Sequence, residues 1–173
     1  MAEAQASNFL KSVDLLAMNE DEASAFTGLA FDPGTPRPLL EACADLLTAV
    51  QPAIRIVVSA GPHGAFGFAD GRWEHSPSLK VPVASTAGAG DALLGGLLAA
   101  LAVRAPFTVT GPPRRALSDR PLASALDFGV LLAAFKLTSP HTIHPDASLE
   151  SLLTLAHERG LTFAESLCRH FQP

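Results

Sequence analysis

The sequence predicts an α/β fold: a mostly parallel sheet with helices on both faces and an antiparallel hairpin toward one edge. Three observations predict it. Short apolar or β-branched runs, residues 13–18 and 54–58, alternate with stretches of helical spacing. Two further short runs, residues 65–69 and 72–75, flank Asp70-Gly71, a strong short-range hairpin signal. A Gly-rich turn, Ser85-Thr86-Ala87-Gly88-Ala89-Gly90-Asp91, runs straight into an apolar helix.

Composition bounds what such a fold can serve. A chain of 173 residues with 48% hydrophobic and 17% charged residues is globular and long enough for one domain with a real core. The net charge of -5 argues against a nucleic-acid surface, and the basic doublet Arg114-Arg115, beside Pro112-Pro113, reads as a solvated loop. Cys43 and Cys168 give neither a disulfide framework nor a metal-ligand spacing; both read as small buried hydrophobes, so a reducing, cytoplasmic compartment is expected. Residues 1–13 lack the hydrophobic region of a signal peptide. The stretch 92–103 is apolar all round, yet too short to cross a bilayer, and reads as a buried helix.

Taken in order, residues 1–12 are polar and read as a loose lead-in, and residues 13–173 as one folded unit. Residues 13–18 form a short buried strand ending at Asn19. Residues 20–28 form a helix with an acidic first turn and Gly28 as its stop. Asn19 and Glu22 stand three apart, which suits an N-cap and its capping-box partner. A Pro/Gly-rich loop leads to a helix over 39–50, with Leu39, Leu40, Cys43, Leu46, Leu47 and Val50 on one side. The strand at 54–58 empties into Ser59-Ala60-Gly61-Pro62-His63-Gly64, and such strand ends are where ligands sit in α/β sheets, although a simple turn explains the loop equally. After the hairpin, residues 79–83 read as another short strand. Gly95 and Gly96 cost about 1 kcal/mol each in helix propensity, which close backbone packing would offset. Residues 104–121 carry four prolines and read as an exposed loop; 122–137 is a second apolar helix, and 149–159 a last amphipathic one closed by Gly160. His141 and His144 lack a third ligand nearby and read as loop histidines.

The Gly-rich turn carries the chemistry. Gly88 and Gly90 allow a tight turn and close approach of a ligand to the backbone. The first N–H groups of the helix lack internal partners and sit at the positive end of its dipole, a ready site for phosphate oxygens. Asp91 stands where a base could meet a hydroxyl beside that phosphate. A turn followed by an acidic residue in a first helical turn is also common and mildly stabilising, so this stretch alone leaves both readings open. A P-loop would need Gly-Lys-Ser/Thr, which is absent, and a dinucleotide fingerprint would need Gly in place of Leu93.

Three signals stand in order: Asn19-x-x-Glu22, Ser59-x-Gly61-x-x-Gly64 and Gly88-Ala89-Gly90-Asp91. Together they resemble the ribokinase-like (PfkB) carbohydrate kinases, over most of the chain from about Val13 to the last helix. Residues 13–23 look like that family's strand and N-x-x-E motif, and 85–91 like its signature D-T-T-G-A-G-D. The resemblance implies a catalytic base at Asp91 and an anion hole at Gly88, Ala89 and Gly90. It places Asn19 among the groups that organise magnesium and phosphates, gives Glu22 to Mg2+ through water, and gives the nucleotide to Ser59, Gly61 and Gly64. The implied cofactors are ATP and Mg2+, and the implied reaction is phosphoryl transfer to a hydroxyl of a sugar or nucleoside. Thr142-Ile143-His144-Pro145 looks somewhat like the pseudouridine kinases.

Departures from the family pattern carry expectations too. Ser85 stands where the family usually has Asp, and Ala87 where it often has Thr. That Asp helps hold a monovalent cation in several members, so a weak response to potassium is expected. Val130 sits near where a polar residue often approaches the adenine, and that contact is left unassigned. Family members usually carry a further N-terminal portion with the acceptor site and lid, so the chain is expected to be the C-terminal, nucleotide-binding portion. The expected partners are ATP and a small acceptor, with a partner chain, an N-terminal portion or a second copy in a homodimer to complete the sheet, and neither nucleic acid nor membrane. A non-catalytic nucleotide-binding or interaction module is the rival expectation.

Overall fold

Apolar residues of 15–18 take an extended path that ends at Asn19, giving strand β1 (Leu15–Asn19). The computed structural model describes residues 8–171 of the chain. Helix α1 (Glu20–Thr27) follows without a loop and stops at Gly28, whose φ of 73° suits glycine. Helix α2 (Arg37–Thr48) begins at prolines, where a missing N–H costs nothing, and returns the chain to β2 (Arg55–Ser59). β1 and β2 pair in parallel, with Asn19 opposite Ser59 at their C-terminal ends. β3 (Ala65–Ala69) and β4 (Arg72–Ser76) form the hairpin. Its turn places Asp70 at φ 51° and Gly71 at φ 75°, the left-handed pair that matches strand twist.

The α/β class is borne out, and the sheet is mixed rather than mostly parallel. Its order is β1-β2-β3-β4, with one parallel pairing (β1–β2) and two antiparallel ones. The expected strand at 79–83 is not formed. Pro77 and Pro82 interrupt the row of ladder donors there, and the Ala84 N–H bonds instead to the Leu137 carbonyl at 2.8 Å.

Helices cover both faces. Alternation along β2 sends Ile56 and Val58 to one side and Val57 to the other. The first side packs against Leu39, Leu40, Cys43 and Leu47 of α2; Leu46, expected on that stripe, is 48% exposed. The second side packs against α3 (Ala89–Ala102) and α4 (Ala125–Leu137). These two helices touch where Gly96 meets Gly129: a Cβ on Gly96 would lie 3.1 Å from the Gly129 Cα, and one on Gly129 would lie 2.6 Å from the Leu93 carbonyl. Close packing therefore accounts for Gly96, whereas Gly95 faces open space. α3 is not buried all round, since Leu98 remains 48% exposed. Two short helices close the chain, α5 (Leu149–Glu158), which stops at Gly160 with φ 66°, and α6 (Glu165–Phe171).

Three further expectations are corrected. Residues 8–10 are helical rather than a loose lead-in, and Leu10 and Val13 pack on the α2 side; residues 1–7 lie outside the described residues. Cys168 is exposed, whereas Cys43 is buried and its thiol is pushed up to about 11 by that burial. The loop at 104–121 is not simply exposed, for Ala105, Phe107, Arg114 and Leu117 are buried. Arg114 is drawn in by Asp127, which also accepts from Ser76 Oγ at 2.8 Å and the Ala123 N–H at 3.0 Å. Burial alone would raise the Asp127 pKa, but the Arg114 guanidinium and these hydrogen bonds outweigh it and hold the carboxyl below its ordinary value.

Candidate active site

The parallel pairing of β1 with β2 sets Asn19 and Ser59 side by side at the carboxyl end of the sheet, where open α/β sheets bind ligands. The Gly-rich turn before α3 comes to the same edge. Between them lies a cavity of about 320 Å³ lined by Asn19, Glu22, Ser59, Thr86 and Gly88–Asp91, with Met18 and Leu93 at its apolar wall. Seven of the expected site residues thus share one cavity: Asn19, Glu22, Ser59, Gly88, Ala89, Gly90 and Asp91.

Gly61 and Gly64 do not line it. They sit on a 3-10 turn (Gly61–His63) and just after it. Gly64 has φ 88°, and a Cβ there would lie 2.1 Å from the Ser76 carbonyl, so close packing against the hairpin requires this glycine. Gly61 has φ 47° and faces the Glu20 carboxylate, whose Oε1 would lie 3.5 Å from a Cβ at that position.

Asn19 and Glu22 form a reciprocal capping box. Asn19 Oδ1 accepts from the Glu22 N–H at 2.8 Å, and Glu22 Oε2 accepts from the Asn19 N–H at 2.9 Å. Both side chains remain exposed, so the box fixes their direction at the cavity while leaving polar atoms on the solvent side.

The start of α3 is arranged differently. Gly88 occupies the N-cap with φ 80° and offers no side chain to the helix donors. A Cβ at Gly88 would lie 2.4 Å from the Thr142 carbonyl, so the backbone of residue 142 packs directly against the turn. The Ala89 N–H is engaged by the Thr86 carbonyl at 3.1 Å. Among the described residues, the N–H groups of Thr86, Gly88, Gly90 and Asp91 have no acceptor. The Asp91 side chain is exposed in the first turn, beside those donors. Unengaged donors at a positive helix end, a carboxylate next to them and a second carboxylate across the cavity suit an anionic ligand that brings its own cation.

The larger cavity, about 640 Å³, lies elsewhere, between the end of α4 and the start of α5, and holds none of the expected site residues. Phe135 and His144 stack at its wall with ring centroids 4.0 Å apart. His144 Nδ1 accepts from the Asp146 N–H at 3.1 Å, which fits the reading of a loop histidine. No group of three or more His, Cys, Asp or Glu side chains that could hold a metal occurs among the described residues. No helix among them is long and apolar enough to cross a membrane.

The reading of the sequence missed Lys136. It is 2% exposed near the end of α4, and its Nζ donates to the Ser85 carbonyl at 2.9 Å, behind the Gly-rich turn. A lone lysine in a helix whose other charged residue is Asp127 was the available signal.

Comparison with known proteins bears on the family and the fold. The family model for pfkB family carbohydrate kinase matches residues 2–149. Comparison with curated proteins gave no match. Among solved structures, the chain is similar to ribokinase from Thermotoga maritima, at 21% identity and a TM-score of 0.61 over 88% of this chain and 47% of that one. It is similar to phosphofructokinase-2 from Escherichia coli, solved with substrates and products, at 21% identity and a TM-score of 0.63 over 91% and 45%. It is also similar to aminoimidazole riboside kinase from Salmonella enterica, complexed with aminoimidazole riboside and an ATP analog, at 21% identity and a TM-score of 0.60 over 86% and 43%. The chain thus spans less than half the length of these structural relatives. A family match across most of the sequence, on a fold shared with these kinases, places the chain in the pfkB family of carbohydrate kinases.

Proposed function

We propose that this chain carries the nucleotide site and catalytic base of an ATP-dependent kinase that phosphorylates a hydroxyl of a sugar or nucleoside. The observation that carries the reading is the single cavity in which the strand-end residues Asn19 and Ser59, with Glu22 in the first turn of α1, face Asp91 and the unengaged N–H groups at the start of α3. In this reading the N–H groups of Gly88, Gly90 and Asp91 hold the transferred phosphoryl oxygens, since that of Ala89 is engaged. The acceptor oxygen bonds to the γ-phosphorus as the bond to the bridging β-oxygen breaks, and the hydroxyl proton passes to Asp91. Magnesium usually keeps several waters and needs only one or two carboxylates beside the phosphates, so Glu22 would hold it through water without a dedicated cage, which leaves Asp91 to act as the base. It would neutralise charge on the phosphates when bound.

The chain spans less than half of its structural relatives, so the acceptor site is assigned to a portion outside the described residues, and residues 13–173 to the C-terminal part of the kinase domain. Pseudouridine is the first acceptor to try, on the strength of Thr142-Ile143-His144-Pro145. A second reading, a nucleotide-binding or interaction module without turnover, is favoured by one feature. β1 is an edge strand of the four-stranded sheet, and a free edge is a place for further strands to pair.

Calorimetric titration of the chain with a magnesium–ATP analogue, after a check for cooperative melting, tests the reading. Binding in the micromolar to millimolar range is expected. A chain that melts cooperatively and binds no nucleotide would overturn it. Assay against a sugar and nucleoside panel, alone and with a supplied N-terminal portion of a relative, separates the two readings. Phosphorylation only on complementation is the kinase outcome, and none in either sample favours the module.

A further inference from the structure

Two cations are buried among the described residues, and they are treated differently. Arg114 faces the Asp127 carboxylate. Lys136 forms no ion pair among the described residues; its ammonium donates to the neutral carbonyl of Ser85. Burying an ammonium against a single neutral acceptor costs more than that hydrogen bond returns, unless an anion comes near. The same region clamps the turn at two more points. The Leu137 carbonyl accepts from the Ala84 N–H, and the Thr142 carbonyl fills the space behind Gly88. The peptide bonds among the described residues are trans, so a Ser85 carbonyl held by Lys136 turns the Thr86 N–H the opposite way. Thr86 lines the cavity, and its N–H has no acceptor among the described residues.

We propose that Lys136 is a positioning residue for the phosphate chain of the nucleotide: its ammonium fixes the Ser85 peptide and sets a positive charge behind the phosphate-binding turn. The inference rests on the kinase reading above and adds to it a discriminating element, since a charge placed there favours ligands rich in phosphate over those poor in it.

The test is calorimetric titration of the chain, Lys136→Met and Lys136→Gln with a magnesium–ATP analogue and, separately, with AMP. Lys136→Gln keeps a donor while removing the charge. Both variants are expected to melt cooperatively and to lose roughly tenfold in affinity for the ATP analogue, about the size of one charge-assisted contact. Affinity for AMP should fall much less, so the preference for ATP over AMP shrinks. Unchanged affinities in the variants overturn the proposal. Equal losses for both nucleotides, or failure of both variants to fold, also overturn it, because they mark a structural tether alone. A wild-type chain that folds and binds neither nucleotide would remove the kinase reading, and this inference with it. Wild-type binding with an unaltered preference in the variants removes only the role of Lys136.

Discussion

Helices α1 and α3 begin at the same edge of the sheet and begin in opposite ways. α1 is closed: Asn19 and Glu22 exchange hydrogen bonds across its first turn. α4 and α5 are closed as well, by Ser124, which accepts from the Asp127 N–H at 3.2 Å, and by Ser148, which accepts from the Ser151 N–H at 3.1 Å. α3 starts at a glycine with no side chain to offer, and its Gly90 and Asp91 N–H groups stay without acceptors among the described residues. Three helices thus carry a side-chain cap, while α2, which starts at prolines, and α3 carry none, and of these two only α3 starts at the cavity. The left-handed backbone at Gly88 and the Thr142 carbonyl behind it exclude a capping side chain there, so the start of α3 stays open and leaves donors for an external anion.

Substitutions at the helix starts separate a ligand role from a structural one, the largest expected effect first. Asp91→Asn keeps the donors and removes the base. In an assembly that turns over, the rate should fall by about 10²–10⁴-fold while nucleotide affinity stays within a few-fold. Near-normal rates would return Asp91 to an ordinary first-turn carboxylate. Asp127→Asn leaves the Ser124 cap of α4 in place but leaves Arg114 buried without its anionic partner, which should cost about 3–5 kcal/mol in denaturant unfolding. The same pair gives a pH dependence. The folded-state pKa of Asp127 is lowered, so its contribution is full above the unfolded value of about 3.9 and is lost as pH falls through the folded value. Melting followed between neutral pH and strong acid should show that loss in wild type and not in Asp127→Asn.

Smaller effects separate the two glycines that bracket these helices. Gly88→Ala strains φ 80° and drives a methyl against the Thr142 carbonyl, for about 1–3 kcal/mol of stability and a loss of nucleotide affinity. Gly28→Ala strains φ 73° in open space and should cost about 1 kcal/mol without touching nucleotide binding. Equal nucleotide losses in both would argue that the turn acts only through global stability. Asn19→Ala should cost about 1 kcal/mol as a lost cap, read as a lower melting temperature. The smallest expected effect concerns potassium. Ser85 brings no carboxylate to the turn and its carbonyl is already held by Lys136, so exchanging potassium for sodium should change nucleotide binding little. A strong potassium requirement would contradict that.

Much of this arrangement was legible from local pattern. β1, the capped α1, β2, the Asp-Gly hairpin and the start of α3 each depend on residues within a few positions of one another, so spacing and turn chemistry reveal them. The convergence of Asn19, Glu22, Ser59 and Asp91 followed from the resemblance rather than from spacing, because nothing local brings position 91 to the end of β1. Other features were out of reach. Residues 79–83 look like a strand by composition, but no neighbouring strand pairs with them. Arg114 looks like a solvated loop residue because Asp127, which draws it in, is thirteen positions away.

Local pattern was enough for most of the elements, the caps of α1 and the glycines at which the backbone must turn, since those depend on short-range sterics and hydrogen bonds. Only the tertiary structure decided which polar groups are closed off and which stay open. Asn19 and Glu22 satisfy each other, Ala89 is engaged within the turn, and Gly90 and Asp91 keep free donors. Lys136 became part of the site in the same way, because packing of α4 against the turn carries its ammonium to the Ser85 carbonyl, 51 positions back along the chain. Burial and long-range packing set what a polar group is worth, and those are properties of the folded whole.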